Sequence, residues 1–536
     1  MKVPSSRAVR RGALAVSLLT ITAITPFTTR PTARAASSST LTIGLNAEPD
    51  TLDPQKAGSA IEDVVGRYFG DGLVALSPSR KIVPDLAKSW TISPNGLLYT
   101  FNLRQDVTFQ DGTPLNAAAY VATLQRLINP ATKAAIQASR LGSVAAITQT
   151  GTYSFTIKLK APYPFLLFQL SDSGHFSPLS PTALKAEGAG FGRKPVSTGP
   201  WQVQQWVTGS QITLVRNPNY KWGPSFVKAG PPSISTLNFR IVTNDAAATA
   251  ALQSGELDIL RLVPPASAPQ IQQSGRYTIV KSLALQSTFL EFNVTQAPFT
   301  DARVRQALNY AVNKQEVLQI GLGGLGQPIY GVVQPNMFNY WSGAKKYGYA
   351  YNPAKAQSLL AQAGWTMKNG VEQKNGQPLS FTTVVWNPDS FKRSAEDVQA
   401  QLKKIGVTMN IQLLDLSGET AAVRKGTDQA SLFAYGGYPW PDIFYIWFHS
   451  SQIGTGFNDS RINDPKLDAL IVKMKTTVDD SARTALVGQL ERYVIDKALW
   501  IPLWDPENYA ALQPRVKGVF LDSQGNLILN NATLSS

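Results

Sequence analysis

The chain has 536 residues, a formal net charge of +15, 43% hydrophobic residues, 16% charged residues and no cysteine. That length exceeds what one core serves and predicts two or three lobes, while the missing cysteine excludes disulfides, thiolate nucleophiles and zinc–cysteine sites. Six of the basic residues and no acid fall within residues 1–35, so +9 remains on the rest. Those cations are scattered without a run of five, which argues against a nucleic-acid partner and for a basic surface facing anionic lipid or cell wall.

In chain order, Lys2, Arg7, Arg10 and Arg11 precede an apolar stretch over 12–27, and Ala33-Arg34-Ala35 supplies small residues at the positions a signal peptidase reads. This is the pattern of an export signal cleaved after Ala35. A retained anchor is the alternative, but the run is shorter than the ~20 residues that span a bilayer. Arg10-Arg11 leaves the general and twin-arginine export routes both open. No cysteine follows Ala35, so no lipid anchor is expected.

Residues 41–45 alternate as a strand, and 48–54 form a loop held irregular by Pro49 and Pro54. Residues 98–103 and 107–109 read as a hairpin-like pair with a turn at Asp111-Gly112, followed by a helix over 117–127. Strands are predicted at 153–159, 202–206, 211–216, 237–242 and 288–293, with a helix over 245–254 closed by Gly255. One long helix is predicted over 301–320, capped by Asp301, with Val304, Leu308, Ala311, Val312 and Val317 on its apolar face. A helix over 353–363 ends at Gly364, and 381–386, 394–405 and 408–414 make a β-α-β unit. Helices over 466–475 and 481–496 and a strand over 499–503 finish the chain. Strands mixed with helices throughout predict α/β lobes.

Little of this sequence points to catalysis. It has no G-x-S-x-G elbow and no H-E-x-x-H pair, and His175 and His449 are its two histidines. A nickel–chelate role for His449, which follows the aromatic loop, is weighed against an ordinary surface or hydrogen-bonded histidine; the second reading is favoured because no second His or Cys completes a metal shell. Residues 321–326 spell a dinucleotide fingerprint but follow a helix and lead into Gln327-Pro328, so they read as a loop. A hydrolase built on paired carboxylates such as Asp50, Asp53 and Asp442 is the enzymatic alternative.

A series of motifs carries a family likeness. Ala87-Lys88-Ser89-Trp90 precedes Tyr99-Thr100-Phe101-Asn102-Leu103-Arg104, and Phe109-Gln110-Asp111-Gly112-Thr113-Pro114 follows. Then come Thr198-Gly199-Pro200, Arg216-Asn217-Pro218-Asn219-Tyr220 and Leu252-Gln253-Ser254-Gly255-Glu256-Leu257-Asp258. The most specific stretch runs from Pro298-Phe299-Thr300-Asp301-Ala302-Arg303-Val304-Arg305 to Ala311. Tyr351-Asn352-Pro353 and Asp464-Pro465-Lys466-Leu467-Asp468 complete the set. In this order, from about residue 41 to 515, the chain resembles the solute-binding proteins of the dipeptide, oligopeptide and nickel ABC importers (family 5).

The resemblance implies an α/β fold of the two-lobed periplasmic-binding-protein type (type II-like) with the ligand cleft between the lobes. Lobe I would hold residues 36–284 and 498–536, with an extra subdomain over about 79–190, and lobe II 285–497. It implies a monomer without cofactor or resident metal that closes on a small solute by hinge motion and delivers it to a membrane permease and its ATPase. A sensory or chaperone-like binding protein is the non-transport alternative. The implied ligand-facing residues are Glu48 and Asp53 after the first strand, Trp386 and Asn387, and Tyr435, Gly437, Tyr438, Trp440 and Asp442 in the aromatic loop 433–442. Peptide-binding members place an aspartate four residues before the proline of this loop, where this chain has Gly437. That departure puts free-amino peptides in question and leaves oligosaccharides, opines and metal chelates open beside them.

Overall fold

Two extended segments, 278–292 and 500–512, run antiparallel to one another through the molecule and organise the rest. The computed structural model describes residues 39–57, 60–436 and 440–535; the expected export signal and the site residues Gly437 and Tyr438 lie outside the described residues. Strand Trp500–Leu512 pairs with Gln286–Phe292 through its first residues and with Thr278–Leu283 through its last. The chain therefore passes twice between two halves of one 12-stranded sheet.

In the first half, Thr40–Leu45 lies parallel between Thr236–Ile241 and Ile259–Leu260, and Gln211–Arg216 and Trp201–Val207 extend the edge antiparallel. In the second, Ser380–Trp386 lies parallel between Thr408–Leu414 and Ala430–Gly436. Phe381, Thr383, Val384 and Val385 are buried, as expected of a parallel strand covered on both faces. A separate antiparallel sheet of Ala87–Ile92, Leu98–Leu103, Val144–Gly151 and Ser154–Leu159 stacks Phe101 and Phe155 beneath Tyr120 of helix Ala117–Ile128.

The structure departs from the sequence reading in several places. Leu98–Leu103 pairs with Ala87–Ile92 and Ser154–Leu159 instead of with 107–109. The helix expected over 301–320 is two, Ala302–Ala311 and Lys314–Leu322: Val312 leaves helical geometry, and the Asn313 side chain accepts from the Gln315 and Glu316 amides to start the second. The last strand runs nine residues beyond 503, past Pro506; a bulge at Thr288/Phe289 absorbs Pro502 within the ladder.

The family motifs prove to be joints. Arg305, 4% exposed, donates to the Lys497 carbonyl through Nε at 3.0 Å and Nη2 at 2.6 Å, placing a cation on the C-terminus of helix Asp480–Lys497. Gln110 donates to the carbonyls of Phe69 and Trp201, both at 2.8 Å, and accepts from the Ser197 amide at 2.9 Å. At Gly199 a Cβ would sit 2.4 Å from the Phe69 carbonyl carbon, so only glycine lets this turn reach the end of helix Ala60–Phe69.

Candidate functional site: a charged cavity between the lobes

The residues expected to face the ligand are placed unevenly. Glu48 accepts from Trp206 Nε1 at 2.8 Å and from the Gly209 amide at 2.9 Å, which ties the loop to the neighbouring hairpin. Asp53 is 2% exposed, and both its oxygens take Arg126, at 2.6 and 3.2 Å. Trp386, half-buried, packs on Phe391 and Phe433, and Asn387 is exposed beside it. Tyr435 stacks on Trp500 and donates to Asp459 at 2.6 Å. Asp442 lies 3.2 Å from Lys475, and burial raises its pKa against the pull of that ammonium. Trp440 packs on Phe165 and Phe168, far away in sequence, with ring centroids 6.4 and 5.0 Å away.

Trp440 therefore belongs to an inter-lobe seam, in which Phe168 also meets Phe338 and the Arg483 guanidinium lies over Phe165. Beside this seam is a cavity of about 380 Å³. Asp63, Gln137, Arg140, Phe168, Asp172 and His175 line one wall; Leu285, Gly436 and Trp440 line the other, and Gln524 and Asn526 border it from the C-terminal segment. Leu285 is one of the two residues between strands Thr278–Leu283 and Gln286–Phe292, and Gly436 pairs with Gln286, so the cavity sits against the crossing point itself.

Helix Ala60–Phe69 positions Asp63 and Arg67. Ile61, Val64, Val65, Tyr68 and Phe69 recur at helical spacing and face inward, which turns Asp63 and Arg67 along the flank. Gly66 and Gly174 let this helix lie against Ser173–Phe176: a Cβ on Gly66 would meet the Gly174 carbonyl at 2.9 Å, and one on Gly174 would overlap the Asp63 carboxylate. Asp172 and His175 are thereby brought beside Asp63.

The result is a ladder of alternating charge. Arg67 pairs with Asp63 and lies 3.6 Å from Asp522. His175 Nδ1 is 3.0 Å from Asp172 and 3.6 Å from Asp63. Arg140 donates to Asp172 at 2.6 Å and to Gln137 and Gln169, each at 2.8 Å. Burial opposes ionisation of Asp172, but His175 and Arg140 override it and hold this carboxyl well below its ordinary range. Burial, seconded by the negative Asp172, outweighs Arg67 and raises Asp63. His175 is raised in turn, burial being overcome by Asp172. The two adjacent carboxyls are thus shifted in opposite directions, Asp172 down and Asp63 up. Asp63, Asp172 and His175 could each offer one atom to a metal, all within 4.8 Å of one another, but Arg67 and Arg140 already neutralise the carboxylates there.

The sequence reading missed this helix and every one of these residues except His175, which it took for an ordinary surface or hydrogen-bonded histidine. The helical period of 60–69 is the signal that was available.

The chain is similar to known proteins over most of its length. The model of the bacterial extracellular solute-binding proteins, family 5 middle region, matches residues 81–456. The chain belongs to that family. A curated member, the glutathione-binding protein GsiB of Salmonella typhimurium, is 30% identical over 468 residues, covering 84% of this chain and 86% of its own. Among solved structures, NikA of Brucella suis in complex with Fe(III)-EDTA superposes with a TM-score of 0.81 at 26% identity, over 92% of this chain and 100% of that one. The oligopeptide-binding protein AppA of Bacillus subtilis, in complex with a nonapeptide, shares the fold with a TM-score of 0.71 at 24% identity, over 93% and 99% of the two chains. This family 5 protein is the substrate-binding component of an ABC importer with the two-lobed α/β fold. Its relatives are solute-binding proteins rather than enzymes, and they work outside the cytoplasm. Among the described residues no helix is long and apolar enough to cross a membrane.

Proposed function

We propose that this protein captures a small zwitterionic peptide, of the size and polarity of glutathione, in the inter-lobe cavity. The observation that carries the proposal is the cluster of Asp63, Asp172, His175 and Arg140 on the cavity wall, with Arg67 paired to Asp63 behind it. It presents both signs of charge side by side in a half-buried site, the complement of a molecule bearing an ammonium and a carboxylate. It also supplies acids on lobe I, where the aromatic loop of lobe II has Gly437 in place of an amine-pairing aspartate. A neutral oligosaccharide would leave that ladder with nothing to answer it. Trp440 forms the apolar side of the cavity and, with Gly436 and Leu285, makes occupancy depend on both lobes, so ligand binding favours closure.

The proposal extends to the rest of the chain. Lobe I comprises 36–284 and 498–536 and lobe II 285–497; the mature chain starts after Ala35, works as a monomer without a lipid anchor, and hands its cargo to a permease. N-terminal sequencing and native mass spectrometry of the exported protein test the last points, and native spectra also reveal co-purified ligand.

Titration calorimetry with glutathione and with free, N-acetylated and C-amidated tripeptides tests the ligand class. The expected result is binding of the free zwitterions, a loss of at least about ten-fold on blocking either end, and loss of binding in Asp63→Asn or Arg140→Ala. Tight binding of a neutral oligosaccharide, with none of any zwitterion, would overturn it.

A further inference from the structure

Lobe II contains a second cavity, of about 280 Å³, that shares no lining residue with the cleft. Strand Ala430–Gly436 turns Ser431, Phe433 and Tyr435 to one face by its two-residue period. Helix Leu416–Lys425, started by the Asp415 side chain accepting from the Gly418 amide at 2.7 Å, covers that face. Phe433, Tyr435 and Phe457 form aromatic walls, with Tyr435 edge-on to Phe457 at 6.0 Å. Leu416, 50% exposed, and Phe457, 39% exposed, stand at the mouth.

The floor is acidic. Glu419, 3% exposed, and Asp459, 8% exposed, line the cavity. Behind them Glu291, 2% exposed, faces both, and neither of its carboxylate oxygens receives a hydrogen bond. The Tyr435 hydroxyl beside it donates to Asp459 instead. Asp428 adds a fourth carboxyl, with Oδ1 also unpartnered. Among the described residues no cation lies within 4 Å of any of the four. Arg461 donates to the carbonyls of Val423 and Arg424, at 3.3 and 2.6 Å, and so closes the helix rather than pairing an acid. Arg424 reaches over Phe457 at the rim. Two buried carboxyls line this aromatic-walled hollow and two more lie behind it; Arg424, which also lines it, and Arg461 pull on Asp459 only from beyond contact distance. Such a cluster is costly unless protonated or met more closely by a cation.

We infer that this lobe II pocket is a binding site for an organic cation, an ammonium or guanidinium on a short apolar stem. The stem fits between Leu416, Phe433 and Phe457, the charge meets Glu419 and Asp459, and the ring faces add cation–π attraction. The volume is at the low end for ligand pockets, about 300–1,000 Å³, which suits a single side-chain-sized group. Burial pushes Glu419 up to about 7, the negative Asp459 and Asp428 adding to it against the Ser431 hydrogen bond; Glu291, Asp459 and Asp428 are raised as well. A bound cation favours the ionised carboxylates, so affinity rises with pH and binding releases protons.

Calorimetric titration with agmatine and with pentylamine, using 1-pentanol as the neutral control, tests the inference. The expected outcome is saturable binding of both amines and not of the alcohol, with affinity at least about ten-fold higher at pH 7.5 than at pH 5.5. Glu419→Gln should weaken it at least ten-fold. Phe457→Ala, at an exposed position that leaves the core intact, should weaken it severalfold. Asp63→Asn in the cleft should leave it unchanged. No binding to the wild-type protein, or equal binding in Glu419→Gln and Phe457→Ala, overturns the inference. Loss in Asp63→Asn alone places the amine in the cleft and overturns it too, while leaving the cleft proposal standing.

Discussion

The inter-lobe cavity and the lobe II pocket are both lined with buried acids, yet they treat charge in opposite ways. In the cleft, Asp172 has Arg140 at 2.6 Å and His175 at 3.0 Å, and it stays ionised far below neutrality. In lobe II, Glu419 accepts from the Ser431 hydroxyl at 2.7 Å but meets no cation, and its carboxyl titrates near neutral pH. A paired ladder is a fixed pattern of charge, able to discriminate ligands by their own charges. An unpaired cluster takes its charge from pH and from its occupant. Pairing, not the number of acids, decides which behaviour a buried carboxyl shows.

Removing the pairing from the cleft should be the most damaging test of this contrast. Arg140→Ala takes away three hydrogen bonds and leaves Asp172 buried with one remaining partner. We expect a loss of about 3–5 kcal/mol in denaturant unfolding, together with loss of zwitterion binding. Arg140→Lys should recover only part, because an ammonium cannot reproduce the guanidinium's simultaneous reach to Gln137, Gln169 and Asp172. An unfolding midpoint at the wild-type value in Arg140→Ala would mean that the ladder is not held by its pairing.

Next in size is Trp440→Ala. Its ring bridges the lobes through Phe165 and Phe168, so truncation loosens the closed form more than either lobe's own core. We expect affinity to fall by about 2 kcal/mol, some thirty-fold, and small-angle scattering to show a more open ligand-free molecule. Unchanged affinity and scattering would remove Trp440 from the site.

The contrast between the two hollows also marks how far sequence alone reaches. The fold was legible because its motifs encode joints: Arg305 closing a helix, Gln110 tying three segments, Gly199 allowing a close approach. Such residues carry the same geometry in any relative, whatever the ligand. The cleft was legible only through its aromatic loop, where Trp440 reaches the cavity. The ladder was not legible, because Asp63, Arg140, Asp172 and His175 come from three separate stretches of chain, two of which meet where Gly66 packs on Gly174. The lobe II cluster was hidden for the same reason. Glu291 and Glu419 lie 128 positions apart and meet only through the pairing of Glu291 with Ser431 across two strands. The strand beyond 503 was lost because Pro506 falls within it, and a proline inside a strand argues locally against one.

A third test addresses the unpaired side of the contrast. Glu419 is raised from 4.5 to about 7 by burial, so the folded protein holds a proton that the unfolded chain gives up above about 4.5. Its contribution is therefore most favourable in mild acid and declines as pH rises from about 4.5 to about 7, then levels off. Glu419→Gln should flatten the fall in stability over that window by about 1–2 kcal/mol, read from urea midpoints at pH 5 and pH 7.5. Equal slopes in the two proteins would show that the carboxyl is stabilised by something other than protonation.

The smallest expected effect concerns Glu48, the loop residue that the family resemblance places at the ligand. Its oxygens are already used by the Trp206 indole and the Gly209 amide. Glu48→Gln keeps the shape and one acceptor while removing the charge and the second acceptor. We expect a cost of about 1 kcal/mol in unfolding and affinity for zwitterions within two-fold of wild type. If affinity instead fell ten-fold with stability unchanged, Glu48 would have to swing from the hairpin to the ligand on binding. The charge pattern of the cleft would then extend beyond the ladder to the loop after the first strand, and the counter-ion absent at Gly437 would have a second substitute.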